Sequence, residues 1–418
     1  DQYLFNTYET GFSRLYIKSS NSTLELGGAD DGSGNAFILN TNMVFKDTSA
    51  WYHVCVAWDV TQSTASDRCK IYINGAQITS WNTETYPGQN VSNYTFNSAV
   101  KHWIGRYKFG SDGTGSYWWD GYLAELVIID GQALAPTSFG EYDSDSPNIW
   151  KPIDVSGLTP GTNGTYLDFE DSSNLGNDAF GGTDWTEVGL AAADQAVDSP
   201  TNNFCVMNLL DNFYAAFTFS IGNCKLVNST KGFATGTFGL SAGKWYWEVK
   251  PSAGDGAYYL LGIADLPTAG TGASNYLGYT SGEQAYYAAD GAARTNQNSP
   301  AYGDTYAADD IIGIYLDLDN SKLYFAKNGT VQNSGTGIDI TAVASTTNGV
   351  YFPATGYNDA SAAVYEHNFG GCSAFAISSG NTDANGYGNF EYDPSAGTFD
   401  SASKSFLALC TKNLAENG

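Results

Sequence analysis

Between Lys244 and Gly329 the chain follows a strand pattern that no helix would keep. Lys244-Trp245-Tyr246-Trp247-Glu248-Val249-Lys250 alternates the bulky Trp245, Trp247 and Val249 with Lys244, Tyr246, Glu248 and Lys250. At a period of two residues the apolar set falls on one face, which predicts a half-buried strand. Further on, Ile312, Ile314, Leu316 and Leu318 alternate with Gly313, Tyr315, Asp317 and Asp319. A polar turn follows at Asp319-Asn320-Ser321, and Leu323 to Lys327 runs into Asn328-Gly329. Asn-Gly supplies the positive φ that both centres of a type I′ turn need, so the chain is expected to reverse into Thr330-Val331-Gln332. Three antiparallel strands in a meander follow.

The same grammar recurs near the start. Trp51-Tyr-His-Val-Cys-Val-Ala-Trp-Asp precedes Arg68-Cys-Lys-Ile-Tyr-Ile-Asn-Gly, with Asn74-Gly75 as a second type I′ signal. A content of 48 Gly, 29 Tyr, 22 Phe and 10 Trp against 18 Lys and Arg favours strands, turns and aromatic sandwich cores over helices. The fold class expected is all-β, and 418 residues suffice for two sizeable cores.

Six ordered segments, Gly243-Lys-Trp-Tyr-Trp-Glu-Val, Leu261-Gly-Ile-Ala, Asp310 to Asp319, Leu323-Tyr-Phe-Ala-Lys-Asn-Gly, Tyr351-Phe-Pro-Ala and His367-Asn-Phe-Gly, resemble a SPRY domain. The resemblance implies a bent β-sandwich whose loops at one end bind a partner, without catalysis. After Phe369-Gly370 the chain departs from that pattern, because a Gly/Asn/Ser-rich excursion from Ser378 to Asp400 delays the last strand, sought at Phe406-Leu-Ala-Leu-Cys-Thr-Lys-Asn-Leu. In the first part, Trp51-Tyr-His-Val, Lys70-Ile-Tyr-Ile-Asn-Gly, Ile104-Gly-Arg and Asp120-Gly-Tyr-Leu-Ala-Glu-Leu resemble a laminin-G-like, concanavalin-type jelly roll. In that family the first strands precede the equivalent of Asp1, so the resemblance implies that the chain starts inside the domain, with sheet-completing strands either upstream or supplied by another chain.

The resulting division is a jelly roll over 1–142, a packed irregular connector over 143–204, a SPRY domain over 205–412 and a tail over 413–418. Pro147, Pro152, Pro160 and Pro200 interrupt the connector, yet Tyr166 to Phe169 reads as a strand that joins a sheet. The order of jelly roll, Trp150-Lys-Pro segment, Pro200-Thr-Asn-Asn-Phe, SPRY domain and Leu409-Cys-Thr-Lys-Asn-Leu resembles large structural proteins of marine tailed bacteriophages, of the tail-fibre or virion-appendage type. This implies a non-enzymatic virion structural and adhesion protein, extracellular on a particle. Its partners would be neighbouring virion subunits, copies of itself and a host-surface glycan or protein.

A formal net charge of −26 repels phosphate backbones, which argues against nucleic acid as a partner, and no apolar run approaches a membrane span, so no insertion is expected. The cysteines, Cys55, Cys69, Cys205, Cys224, Cys372 and Cys410, have neither disulfide-scaffold density nor zinc spacing. Most are expected free and buried. Cys55 and Cys69 have two readings: a cross-strand disulfide if their strands pair with the two cysteines opposed, or two small core residues.

Concanavalin-type sandwiches also include glycoside hydrolases, whose glucanase branch carries Glu-x-Asp followed closely by Glu on one strand; no stretch here has that spacing. Glu125 and Glu248 stand singly on expected strands. His53, His102 and His367 are scattered and read as structural, and GxSxG, Walker and HExxH motifs are absent. No catalytic residue and no cofactor is expected. A secreted carbohydrate-active enzyme, or its glycan-binding ancillary module, and a ligand-free capsid or filament block are the competing readings.

Two sets of binding candidates remain. Asp30, Asp31, Asp168, Asp171 and Asp178 lie in oxygen-rich turns of the kind that hold calcium, an ion often found in laminin-G-type jelly rolls; the competing reading is ordinary Asx-turn chemistry. The aromatic runs Tyr117-Trp118-Trp119, Tyr258-Tyr259 and Tyr286-Tyr287 are candidate ligand-binding residues, the competing reading being core packing. Neighbours on a strand point to opposite faces, so one member of each pair is expected in the core and the other exposed.

Overall fold

The computed structural model describes the chain apart from residues 9–10, 30–35, 92–94, 108–116, 145–146, 214–216, 229, 255–257, 266–275, 360 and 401–404, and only the backbone of residues 97, 212 and 213. Two compact units result, Asp1–Ala192 and Ala193–Gly418, so most of the 143–204 segment clusters with the first unit.

In the first unit the strands are Gln2–Tyr8 (β1), Phe12–Ile17 (β2), Thr23–Ala29 (β3), Ala36–Val44 (β4), Val54–Trp58 (β5), Cys69–Ile73 (β6), Ala76–Gln77 (β7), Trp81–Thr85 (β8), His102–Ile104 (β9), Arg106–Tyr107 (β10), Tyr117–Trp118 (β11), Leu126–Ile128 (β12), Gly140–Tyr142 (β13), Trp150–Pro152 (β14) and Thr165–Leu167 (β15). An antiparallel sheet runs β8-β4-β3-β2-β1-β9, and a smaller one runs β5-β6-β7. Period-two alternation gives each sheet an apolar face. Leu24 and Leu26 of β3 and Phe37 and Leu39 of β4 pack with Cys69, Ile71 and Ile73 of β6. Asn74 (φ 48°) and Gly75 (φ 78°) form the turn between β6 and β7, as their sequence predicts. β12 pairs with β15 through Val127 and Tyr166.

Cys55 and Cys69 do not oppose each other. The β5–β6 register pairs Cys55 with Tyr72 and Trp58 with Cys69, and both thiols are free. The connection includes a 3₁₀ turn at Ala65–Asp67 and closes with Asp59 N–H on Arg68 O at 2.8 Å. That register puts Cys69 on the core face with Ile71 and Ile73 and Cys55 on the opposite face.

The second unit contains Met207–Phe213 (β16), Phe217–Ser220 (β17), Lys225–Asn228 (β18), Gly232–Gly236 (β19), Lys244–Ala253 (β20), Tyr259–Ala264 (β21), Glu283–Tyr287 (β22), Ala293–Thr295 (β23), Ile312–Asp317 (β24), Lys322–Lys327 (β25), Thr330–Val331 (β26), Ile338–Asp339 (β27), Phe352–Tyr357 (β28), Ala363–Asn368 (β29), Leu407–Ala408 (β30) and the helix Thr411–Asn417 (α1). One sheet runs β16-β19-β28-β21-β22-β23; the other runs β17-β18-β29-β20-β24-β25-β26, with β27 on β25 and β30 parallel to β20. The meander β20-β24-β25-β26 forms as expected, with Asn328 (φ 46°) and Gly329 (φ 78°) at its tip. Trp245, Trp247, Val249, Ile312, Ile314 and Phe325 meet Tyr259, Leu261, Ile263 and Tyr286 between the sheets.

The half-buried strand is not observed, because both faces of β20, β24 and β25 are covered. Tyr246, Tyr315 and Tyr324 lie in register across these three strands, on the face away from the inter-sheet core. Phe204, Phe390, Phe399, Phe406 and Cys410 pack over them. The Gly/Asn/Ser-rich excursion therefore supplies a third layer. Its end also differs from the expected final strand: Leu407–Ala408 forms a short strand, Cys410 makes an isolated bridge to Phe204, and Thr411–Asn417 turns into a helix whose buried Asn413 donates to Asp383 Oδ2 and Ala408 O.

Candidate functional site

The face of the large first-unit sheet opposite its apolar core carries an aromatic and charged cluster. In β3, Glu25 alternates with Leu24 and Leu26, so it projects away from the core; β2 sets Tyr16 opposite Glu25, and β1 sets Tyr3 opposite Tyr16. The rings of Tyr3 and Tyr16 are stacked at 4.7 Å and 8°. Tyr16 Oη donates to Glu25 Oε1 at 2.6 Å, and Lys18 Nζ lies 3.1 Å from Glu25 Oε2. Arg14 sits over the Phe12 and Tyr16 rings, 4.9 and 5.0 Å from their centroids. Burial and the bond to Glu25 push the Tyr16 hydroxyl's pKa well up, so it remains a proton donor to the carboxylate.

The β10–β11 ribbon extends this cluster. Gly105 takes φ 68°, and its N–H bonds to Leu4 O at 3.0 Å, which turns the chain out of β9 and lays the ribbon beside β1. Tyr107 and Tyr117 oppose each other in the ribbon, and their rings lie 4.6 and 6.0 Å from that of Tyr3. Arg106 opposes Trp118, with its guanidinium 4.3 Å above the indole centroid. Tyr117 is 47% exposed and Trp118 51% exposed, whereas Trp119 is half-buried. The expected division into one core and one exposed neighbour therefore fails for Tyr117 and Trp118. Each side of a two-stranded ribbon presents one of them to solvent.

The other aromatic candidates behave differently. Tyr258 is half-buried; Tyr259, Tyr286 and Tyr287 are buried. Tyr259 and Tyr286 belong to the inter-sheet core, while Tyr287 packs on the opposite sheet face with Phe233, Leu260 and Leu277. An exposed member of the Tyr286-Tyr287 pair is therefore not found, because a loop containing Leu277 covers the second face. Glu283 anchors that loop by accepting the N–H groups of Gly278 at 3.0 Å and Tyr279 at 2.9 Å.

Of the candidate calcium ligands, Asp30 and Asp31 lie outside the described residues. Asp168 accepts Glu170 N–H, Asp171 accepts Ser173 N–H and hydroxyl, and buried Asp178 accepts the N–H groups of Tyr166 and Phe180. The bonds to Glu170, Ser173 and Phe180 are Asx-type turn bonds, while the bond from Tyr166 N–H ties β15 to the turn at Asp178. No group of three or more His, Cys, Asp and Glu is arranged to hold a metal ion among the described residues. Glu125, expected on a strand, precedes β12 with φ 53° and accepts the Tyr166 hydroxyl at 2.5 Å.

Tyr3, Arg14, Tyr16, Glu25 and Tyr107 were not among the sequence candidates, although the cluster is built on them. Period two in Leu24-Glu25-Leu26 marks Glu25 as facing away from the core, but its opposition to Tyr16 depends on register between strands.

Residues 1–137 match the concanavalin A-like lectin/glucanases superfamily, and residues 244–371 match the SPRY domain family. No curated protein matches the chain. Among solved structures, the SPRY domain of human HERC1 is similar at 14% identity with a TM-score of 0.31, covering 38% of this chain and 96% of that one. The stonustoxin structure is similar at 18% identity and a TM-score of 0.30, covering 39% of this chain and 27% of that one. The chain thus carries a concanavalin-like domain in its first unit and a SPRY domain in its second, a pair of β-sandwiches of the binding or adhesion type.

Proposed function

We propose that this protein is a non-enzymatic adhesion subunit of a tailed-bacteriophage appendage, and that the first unit binds a host-surface glycan at the Tyr117 face. The observation that carries the glycan reading is the exposed Tyr117 ring set against the Tyr3–Tyr16–Tyr107 aromatic bed, with Arg14, Lys18 and Glu25 beside it. The C–H face of a sugar ring packs on an aromatic face, while its hydroxyls take hydrogen bonds from Arg and Lys and give them to a carboxylate. Because Tyr3 and Tyr16 are already buried against each other, Tyr117 is held in place before a ligand arrives.

The virion placement is supported by the order of the two domains and their connecting segments, and by a net charge of −26, which disfavours a nucleic-acid role. Neighbouring subunits, including copies of this chain, are its structural partners in this reading. A glycan array probed with the full chain and with Tyr117→Ala tests the binding face: wild-type signal lost in the variant is expected, and no wild-type signal on any glycan would overturn it. Electron microscopy of native material tests the placement, which fails if the chain is found only free of particles.

A further inference from the structure

The end of β29 is a joint between three backbone segments. His367 N–H donates to Cys224 O at 2.7 Å, and its own C=O accepts Ala374 N–H at 3.0 Å. A bridge between Asn368 and Ser373 brings the chain back along β29. Cys224 closes the β17–β18 turn, where Ile221, Gly222 and Asn223 all have positive φ. Gly371 O accepts Val197 N–H at 2.9 Å, so the segment before β16 is drawn to the same place.

The two buried cysteines at this joint face each other, with Cys224 Sγ and Cys372 Sγ 2.7 Å apart. Unbonded heavy atoms sit most favourably at about 3.5–4.0 Å, so these sulfurs are inside ordinary contact although no bond joins them here. The backbone already holds both residues in place without a covalent link.

We propose that Cys224 and Cys372 form a native disulfide that clips the β17–β18 turn to the return segment after β29, where the covering layer of the second unit begins. The oxidant is a low-molecular-weight disulfide such as oxidised glutathione, met while the chain folds and before Cys224 is covered. The Cys224 thiolate attacks one glutathione sulfur and expels a glutathione thiolate. The Cys372 thiolate then attacks Cys224 Sγ, breaks the mixed disulfide and expels the second glutathione. The two thiol protons pass to the two glutathione thiolates, so two cysteine thiols are oxidised as one glutathione disulfide is reduced. Once formed, the bond is buried, and a reductant reaches it only when the joint opens. This inference does not depend on the glycan reading.

The test is to refold the full chain with a mixture of oxidised and reduced glutathione, alkylate free thiols in denaturant and map the peptides. The expected result is four of six cysteines alkylated and one linked pair, Cys224 with Cys372. Dithiothreitol should reduce that pair slowly in the native protein and rapidly in denaturant. Oxidation should raise the thermal midpoint of the second unit by roughly 5–10 °C, a rise absent in Cys224→Ser and kept in Cys55→Ser. Alkylation of all six thiols after oxidative refolding, or a link to Cys205 in place of either partner, would overturn the assignment; the mapping on wild-type protein needs no variant to fold.

Discussion

Tyr392 N–H donates to Glu248 Oε1 at 2.8 Å, so a carboxylate on the central strand of the second unit holds down the segment that covers it. The same carboxylate accepts Tyr246 Oη at 2.9 Å, Asn368 Nδ2 at 3.0 Å and Glu391 N–H at 3.0 Å. Four donors on one buried group explain how a segment rich in Gly, Asn and Ser becomes a fixed layer.

Burial pushes the Glu248 pKa up to about 7 in spite of these donors. The unfolded chain releases this proton near pH 4.5, so between there and pH 7 the folded state holds a proton that the unfolded state has lost. Stability contributed by this group therefore falls as pH rises, by about 3 kcal/mol over the whole window. Glu248→Gln cannot titrate, and its amide faces donors, which adds a constant cost. In urea unfolding of both proteins from pH 4.5 to 7.5, the stability of the variant relative to wild type is expected to rise by about 3 kcal/mol. A difference that does not change with pH means that Glu248 is charged throughout.

His367 titrates in the opposite sense. Its Nδ1–H donates to Cys224 O at 3.1 Å and its Nε2 accepts Thr355 Oγ1 at 2.8 Å, and burial lowers its pKa to about 4. The unfolded chain takes up this proton below pH 6.5, so stability is lost as pH falls from 6.5 towards 4, by about 3 kcal/mol. His367→Gln is expected to gain stability relative to wild type over that window. Equal acid midpoints for the two proteins would show that the ring is not buried neutral.

Gly329 combines a φ of 78° with a close neighbour, since a Cβ there would lie 2.6 Å from Tyr392 Cδ1. Gly329→Ala therefore strains the turn and displaces Tyr392 from above it. A loss of about 1–3 kcal/mol is expected in urea unfolding, with an unchanged m-value. An unchanged midpoint would mean that the turn relaxes without moving the cover.

Tyr117→Ala removes a ring that is 47% exposed, so thermal stability should change little while glycan binding falls by about tenfold or more. Titration of the array-selected glycan against both proteins measures this. A variant that binds as well as wild type places the sugar elsewhere.

The meander strands from Lys244 to Val331, the two Asn-Gly reversals and the all-β class were legible in the chain because period two and positive φ are local properties. The alternation in Leu24-Glu25-Leu26 likewise shows which way Glu25 points. Local rules do not set what lies opposite: the Cys55–Cys69 opposition fails because the connection between β5 and β6 sets a register that pairs Cys55 with Tyr72. For the same reason the lining-up of Tyr3, Tyr16 and Glu25 across three strands could not be read from any one of them.

The sequence alone determined that Trp245, Trp247 and Val249 share a face, because alternation is a property of the backbone. Only the tertiary structure decided that Tyr246 on the other face is also buried, under Phe390 and Phe406 from more than a hundred residues away. Covering that face takes few apolar side chains once backbone N–H groups from the covering segment close on Glu248. Composition made 378–400 look like a loop, since hydrogen bonds between backbone and a distant carboxylate have no periodicity to betray them.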